Sequence, residues 1–141
     1  MSGYVEWVRE GQLARASRPG YGSANVSLED TRSWMDQVKE MGVRSIICLL
    51  NGKQLNYYRS IPGGLLDYYR EEGFNVVNIP ITDPAHDPAG EEELEAALDE
   101  ICDTYERLEK PVLIHCSAGV DRTGRAVSEI KRRGLLERRA G

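Results

Sequence analysis

The chain has 141 residues, 40% of them apolar, enough for one domain with a real core. Its formal net charge of −5 argues against bulk attraction to nucleic acid or to an acidic membrane surface. No stretch approaches the ~18 apolar residues of a membrane span and no signal-peptide pattern opens the sequence, so a soluble, cytoplasmic protein is expected.

In chain order, Tyr4–Val8 and Leu13–Ala16 read as two short strands of a hairpin around Glu10-Gly11. Ser27-Leu28-Glu29-Asp30 is a capping-box-like helix start, with Trp34, Met35, Val38 and Met41 on its apolar face and Gly42 as its stop. The apolar run Val43–Leu50 predicts a central strand. A helical turn over Gln54–Arg59 and a Pro62-Gly63-Gly64 break lead to a helix over Leu65–Glu72, and Phe74–Ile79 is a further strand. Asp87-Pro88, followed by Glu91, Glu92 and Glu93, predicts the start of the clearest helix. Its apolar face carries Leu94, Ala97, Leu98, Ile101, Tyr105 and Leu108. Pro111–Ile114 predicts a buried parallel strand, and Ala126, Val127 and Ile130 a helix beginning near Arg122. Strands alternating with helices imply an α/β fold. One domain over residues 1–141 is expected, a central, mostly parallel mixed sheet flanked by helices. The acidic stretch from Glu91 to Glu109 and the basic stretch from Lys131 to Arg139 read as two solvated helix faces, with a docking surface as the lesser alternative.

The most informative segment joins the last strand to the last helix: His115-Cys116-Ser117-Ala118-Gly119-Val120-Asp121-Arg122-Thr123-Gly124. A strand-to-helix turn is an anion site, because unpaired N–H groups at the helix start point inward and the macrodipole favours negative charge. Small side chains at Ser117, Ala118 and Gly119 let the backbone curl around a tetrahedral oxyanion, and glycine tolerates a positive φ there. A helix N-terminus and a nearby cation lower a thiol's pKa, so Cys116 is expected as a thiolate nucleophile. Arg122 offers a planar fork for two equatorial oxygens of a phosphate, which lysine cannot mimic. Taken singly, each part has a plainer reading. A lone cysteine at a strand end is usually a small buried hydrophobe, and glycine after a strand is usually a turn. With three cysteines and two histidines and no paired spacing among them, a structural zinc site does not fit, and no metal or cofactor is expected.

The run matches the His-Cys-x5-Arg-Ser/Thr signature, so the chain resembles the cysteine-dependent protein-tyrosine and dual-specificity phosphatases. The resemblance spans roughly Leu13 to Ile130 and fits the small, atypical dual-specificity branch. It implies phosphomonoester hydrolysis on phosphoprotein, phosphotyrosine first and phosphoserine or phosphothreonine besides, through a phosphocysteine on Cys116. Phosphate would be held by residues Ser117, Ala118, Gly119, Val120, Asp121 and Arg122. The Thr123 hydroxyl would hydrogen-bond the sulfur and help it leave, and His115 would order the loop rather than act as a base. The family draws its general acid from a loop some thirty-odd residues before the cysteine; Asp83 and Asp87 precede Cys116 by 33 and 29 residues. Asp87 has a competing job as a helix cap, which leaves Asp83 as the preferred acid.

Other readings follow from particular residues. Asp121 stands where tyrosine phosphatases commonly have glycine. Asp-Arg-Thr also occurs in some lipid-active phosphatases, but an acid beside the pocket disfavours polyanionic headgroups. Phosphoinositide hydrolysis, RNA 5′-phosphatase chemistry and a non-catalytic phosphopeptide-binding domain are the alternatives; sulfur transfer or arsenate reduction fits the Arg-Thr-Gly continuation less well. Cys48 occupies a strand position that some family members use for a redox partner of the catalytic cysteine, against the simpler reading of an inert core residue. Cys102 is expected to be structural. Arg-Ala-Ser-Arg-Pro at positions 15–19 is similar to the N-terminal segment of several atypical members, so Arg15 and Arg18 are either substrate contacts or plain surface or core-edge arginines. Only 18 residues follow Thr123, so one side of the sheet is expected to be incompletely covered, and the oligomeric state is open.

Overall fold

A computed structural model describes residues 4–136 of the chain. Residues 1–3 and 137–141, including the arginines at 138 and 139 in the expected basic stretch and both ends of the expected domain, lie outside the described residues. Five strands form one sheet: β1 (Val5–Arg9), β2 (Leu13–Ala16), β3 (Ser45–Cys48), β4 (Asn75–Asn78) and β5 (Val112–His115). Their order is β1-β2-β5-β3-β4, with β1 antiparallel to β2 and the other neighbours parallel. The helices are α1 (Leu28–Glu40), α2 (Gly52–Leu55), α3 (Gly64–Glu71), α4 (Ala89–Arg107) and α5 (Asp121–Arg132), with a 3₁₀ turn at Asn56–Tyr58. The expected α/β fold with a mostly parallel mixed sheet is the observed one.

Both faces of the sheet are covered, so β3 and β5 are buried throughout and apolar except for Ser45 at the start of one and His115 at the end of the other. On one face Ala14, Ala16, Ile46, Cys48 and Leu113 meet Trp34, Met35 and Val38 of α1 and Tyr69 of α3. On the other, Leu13, Ile47, Val112 and Ile114 meet Leu94, Leu98 and Ile101 of α4 and Ala126, Val127 and Ile130 of α5. The expectation of an incompletely covered side is therefore corrected: α4 and α5 lie together on it, and Leu13, Ile47 and Ile114 are fully buried.

The charged stretches lie on solvated helix faces, as expected, and they also meet across the α4–α5 seam. Arg125 of α5 reaches Glu95 of α4 at 2.8 Å, and Arg133 reaches Asp99 at 2.7 Å. Glu129, buried on α5, takes ion pairs from Arg125, Arg132 and Arg133, which hold its carboxyl well below the usual carboxylate range. Opposite charges placed on two helices that share a sheet face meet across their seam.

Two strands are shorter than their apolar runs. Leu49 and Leu50 stay fully buried beyond the end of β3, where the Leu49 carbonyl accepts both the Ile81 N–H and Arg122 Nη1, each at 3.2 Å. Phe74 and Ile79 likewise flank β4 without belonging to it. Helix starts follow the sequence closely. Ser27 Oγ accepts the Asp30 N–H at 3.1 Å, and α4 begins at Ala89, whose N–H goes to Asp87 Oδ1 at 3.0 Å. Among the described residues no helix is long and apolar enough to cross a membrane.

Candidate active site

The loop from Cys116 to Val120 leaves the carboxyl end of β5 and enters α5, the place where open α/β sheets bind ligands. His115, just before it, is fully buried, with Nδ1 3.0 Å from the Cys116 carbonyl oxygen and Nε2 2.9 Å from the Tyr69 hydroxyl. A carbonyl only accepts, so Nδ1 carries the proton and Nε2 accepts from Tyr69. Burial pushes the His115 pKa down to about 4, so the ring is neutral near pH 7 and serves as a two-ended brace.

The β1–β2 hairpin grips the loop from outside. Gly119 has φ +77°, and a Cβ there would stand 2.5 Å from the Ala16 carbonyl oxygen and 2.6 Å from the Tyr4 hydroxyl. Its own carbonyl accepts from that hydroxyl and from Arg15 Nη2 at 2.8 Å. Ser117 is held by Arg18, whose backbone N–H donates to the Ser117 carbonyl at 2.8 Å and whose Nε donates to Ser117 Oγ at 3.1 Å.

Arg122 lies in the first turn of α5 with 1% of its surface exposed. Nη1 donates to the Leu49 carbonyl at 3.2 Å, Gln54 Oε1 at 2.9 Å and the Ile81 carbonyl at 2.9 Å, while Nη2 donates to Asp83 Oδ2 at 3.1 Å. The guanidinium is thus fixed by the two segments that follow β3 and β4, both remote from it in sequence. Cys116, Ser117, Ala118, Asp121 and Arg122 all border one cleft of about 420 Å³, and Asp83 faces them across it. Gly119 and Val120, also expected around the phosphate, do not line the cleft; Gly119 is turned to the hairpin and the Val120 side chain is 59% exposed.

The acid loop is built as firmly. Asp83 Oδ2 accepts from Gln54 Nε2 at 3.2 Å as well as from Arg122, and Oδ1 accepts the Ala85 N–H at 3.0 Å. Glu93 clamps the preceding Thr82 through its N–H and its hydroxyl, both at 2.8 Å. Gly90 lets the loop lie against α4, because a Cβ there would come within 2.3 Å of the Thr82 carbonyl oxygen. Asp87 is exposed, caps Ala89 and does not border the cleft, so Asp83 is the aspartate brought to Cys116 and Arg122.

The remaining candidates sit as follows. Thr123 Oγ1 is buried with no hydrogen-bond partner among the described residues, so the expected bond to the Cys116 sulfur is absent in this state. Cys48 lies in β3 opposite His115 of β5. Burial pushes its thiol up to about 12, which keeps it protonated and a poor nucleophile in the closed core. Cys102, on the inner face of α4, is buried in the core. No group of three or more His, Cys, Asp or Glu among the described residues is arranged to hold a metal ion. Sequence reasoning missed Tyr4, Gln54, Gly90 and Glu93, none of which sits in a local pattern; each acts on a segment far along the chain.

No curated protein matches. A solved structure of kinase associated phosphatase, with its catalytic-site cysteine substituted by serine, superposes with a TM-score of 0.58 and 18% identity. It covers 94% of this chain and 84% of that one, and so shows a shared fold. The family model "Tc-R-P: Polymorphic toxin system, DSP-PTPase phosphatase" matches residues 22–134, a span that takes in both the acid loop and the cysteine loop. The resemblance read from the cysteine signature thus has an independent footing, and the chain belongs to this family of DSP-PTPase phosphatases.

Proposed function

We propose that the protein hydrolyses phosphomonoesters on phosphoprotein, phosphotyrosine first, through a phosphocysteine intermediate. The Cys116 thiolate attacks phosphorus as the bond to the ester oxygen breaks, and Asp83 gives that oxygen a proton. Arg122 and the loop amides hold the equatorial oxygens, where charge develops. Water, losing its proton to Asp83, then attacks the phosphocysteine; the P–S bond breaks and inorganic phosphate leaves. The observation that carries this reading is the convergence of Cys116, Arg122 and Asp83 on one cleft, the last two joined by an ion pair.

The orphaned Thr123 hydroxyl supports the second step, because a buried donor with no partner is available to a sulfur gaining charge. Asp121, at the cleft wall, weighs against polyanionic lipid headgroups, and the net charge weighs against RNA. The test is turnover of a simple aryl phosphate in the presence of a chelator, repeated with Cys116→Ser. Activity lost in the variant supports the proposal. A folded wild-type protein that binds phosphopeptide without turnover would establish the binding-domain alternative.

A further inference from the structure

Arg18, Arg122 and Glu129 are the charged side chains buried to nine-tenths or more among the described residues. Arg122 faces Asp83, and Glu129 faces three arginines. Arg18, 4% exposed, has no carboxylate within ion-pairing distance among the described residues. Its nitrogens reach only neutral acceptors: Nε reaches Ser117 Oγ at 3.1 Å, Nη1 the Tyr58 hydroxyl at 3.3 Å, and Nη2 the Ser23 carbonyl at 2.8 Å. That uses three of the five guanidinium N–H groups. The guanidinium carbon lies over the Tyr57 ring, 4.8 Å from its centre, and 5.8 Å from the centre of the Tyr21 ring.

A brace for Ser117 requires a donor, not a charge. Burying an unpaired cation is costly unless an anion visits it. Arg18 and Tyr57 border the same cleft as Cys116 and Ser117, so the unbalanced charge shares the cleft in which the phosphate is proposed to react. Asp83 also borders that cleft but pairs with Arg122, and in the adjoining hollow Glu95 pairs with Arg125, which leaves Asp121 and Glu91 as the carboxylates on the α5 side outside an ion pair among the described residues.

We infer that Arg18, stacked on Tyr57 beside Ser117, forms a second anion subsite that takes an acidic group flanking the phosphorylated residue of a peptide substrate. The subsite rests on the phosphoprotein reading above and narrows it. An anion on the Arg18 side of the phosphate is attracted, and one on the Asp121 side is repelled.

The test uses the full chain and phosphotyrosine peptides that carry Asp, phosphoserine, Asn or Lys at the flanking positions, with an aryl phosphate and an inositol bisphosphate alongside. Wild type should favour an Asp or phosphoserine peptide over its Asn counterpart by about fivefold in kcat/KM, chiefly through KM. The preference should occur at one flank only and shrink as salt is raised. In Arg18→Gln the Asp/Asn ratio should fall to near one, whatever the absolute activity; Arg18→Lys should keep part of it. The ratio and its salt dependence in wild type decide the matter if Arg18→Gln does not fold. Equal rates on Asp and Asn peptides, or a ratio that survives in Arg18→Gln, overturn the subsite while leaving the phosphatase reading intact. An inositol bisphosphate preferred over every peptide overturns the peptide assignment. Absence of turnover even on the aryl phosphate overturns the phosphatase reading itself.

Discussion

Asp83 Oδ2 stands 3.1 Å from Arg122 Nη2, so the proposed acid is tied to the proposed phosphate-binding arginine before any substrate arrives. On the proposed mechanism, a phosphate dianion entering the cleft would compete with Asp83 for one end of the guanidinium, while Nη1 stays anchored by Leu49, Gln54 and Ile81. The contact pre-positions both groups and gives them something to exchange.

Asp83→Asn should separate those two roles. Loss of the proton donor should slow turnover of alkyl and weakly acidic aryl phosphates by about 10²–10⁴, with a much smaller effect on esters with good leaving groups. Vanadate should bind the variant more tightly, because its rival anion is gone. A plot of log kcat against leaving-group pKa, with vanadate inhibition constants, reads both. If Asp87→Asn gives the steep plot instead, the acid has been misassigned.

Gly119→Ala should damage the loop without unfolding the sheet. The φ of +77° costs a non-glycine residue about 1–3 kcal/mol, and the new Cβ would press on Ala16 and Tyr4. Turnover should fall well beyond what the lost stability explains, checked by comparing kinetics with denaturant melts. Retained wild-type kinetics would mean that the loop shifts without functional consequence.

Thr123→Val removes a hydroxyl that has no partner in the resting structure. Stability should be unchanged or higher by about 1 kcal/mol, since an unmet buried donor is a cost. Breakdown of the phosphocysteine should slow, giving a pre-steady-state burst on an aryl phosphate. A stability loss without a burst would place the hydroxyl in packing alone.

Stability should depend on pH through His115. Its pKa is 6.5 when free and about 4 when folded, so between those values the unfolded chain binds a proton that the folded chain refuses. This contribution is complete above pH 6.5 and declines as pH falls toward 4, by about 3 kcal/mol in all. Glu129, whose folded pKa is depressed, also loses its contribution on acidification, but further down the scale. His115→Asn should therefore flatten the stability curve between pH 6.5 and 4 and leave the steeper acid limb. Parallel curves for the two proteins would show that the ring does not titrate as described.

The sequence alone determined the elements whose information is local. The cysteine loop is ten contiguous residues whose types suit an oxyanion, β3 and β5 are apolar runs, and α1 and α4 announce themselves through caps and a 3.6-residue period. Tertiary structure decided whatever depends on segments meeting. Whether Asp83 or Asp87 reaches the cleft turns on how Gly90 and Glu93 seat the acid loop against α4. Gln54 gains its place between Asp83 and Arg122 only because α2 follows β3 at the carboxyl edge of the sheet. The acidic and basic stretches become partners because α4 and α5 cover the same face, and Arg18 becomes an unbalanced charge because burial removes it from water. Hydrophobic period and capping act over a few neighbouring residues. Ion pairing, desolvation and close approach depend on distances that only the folded chain sets.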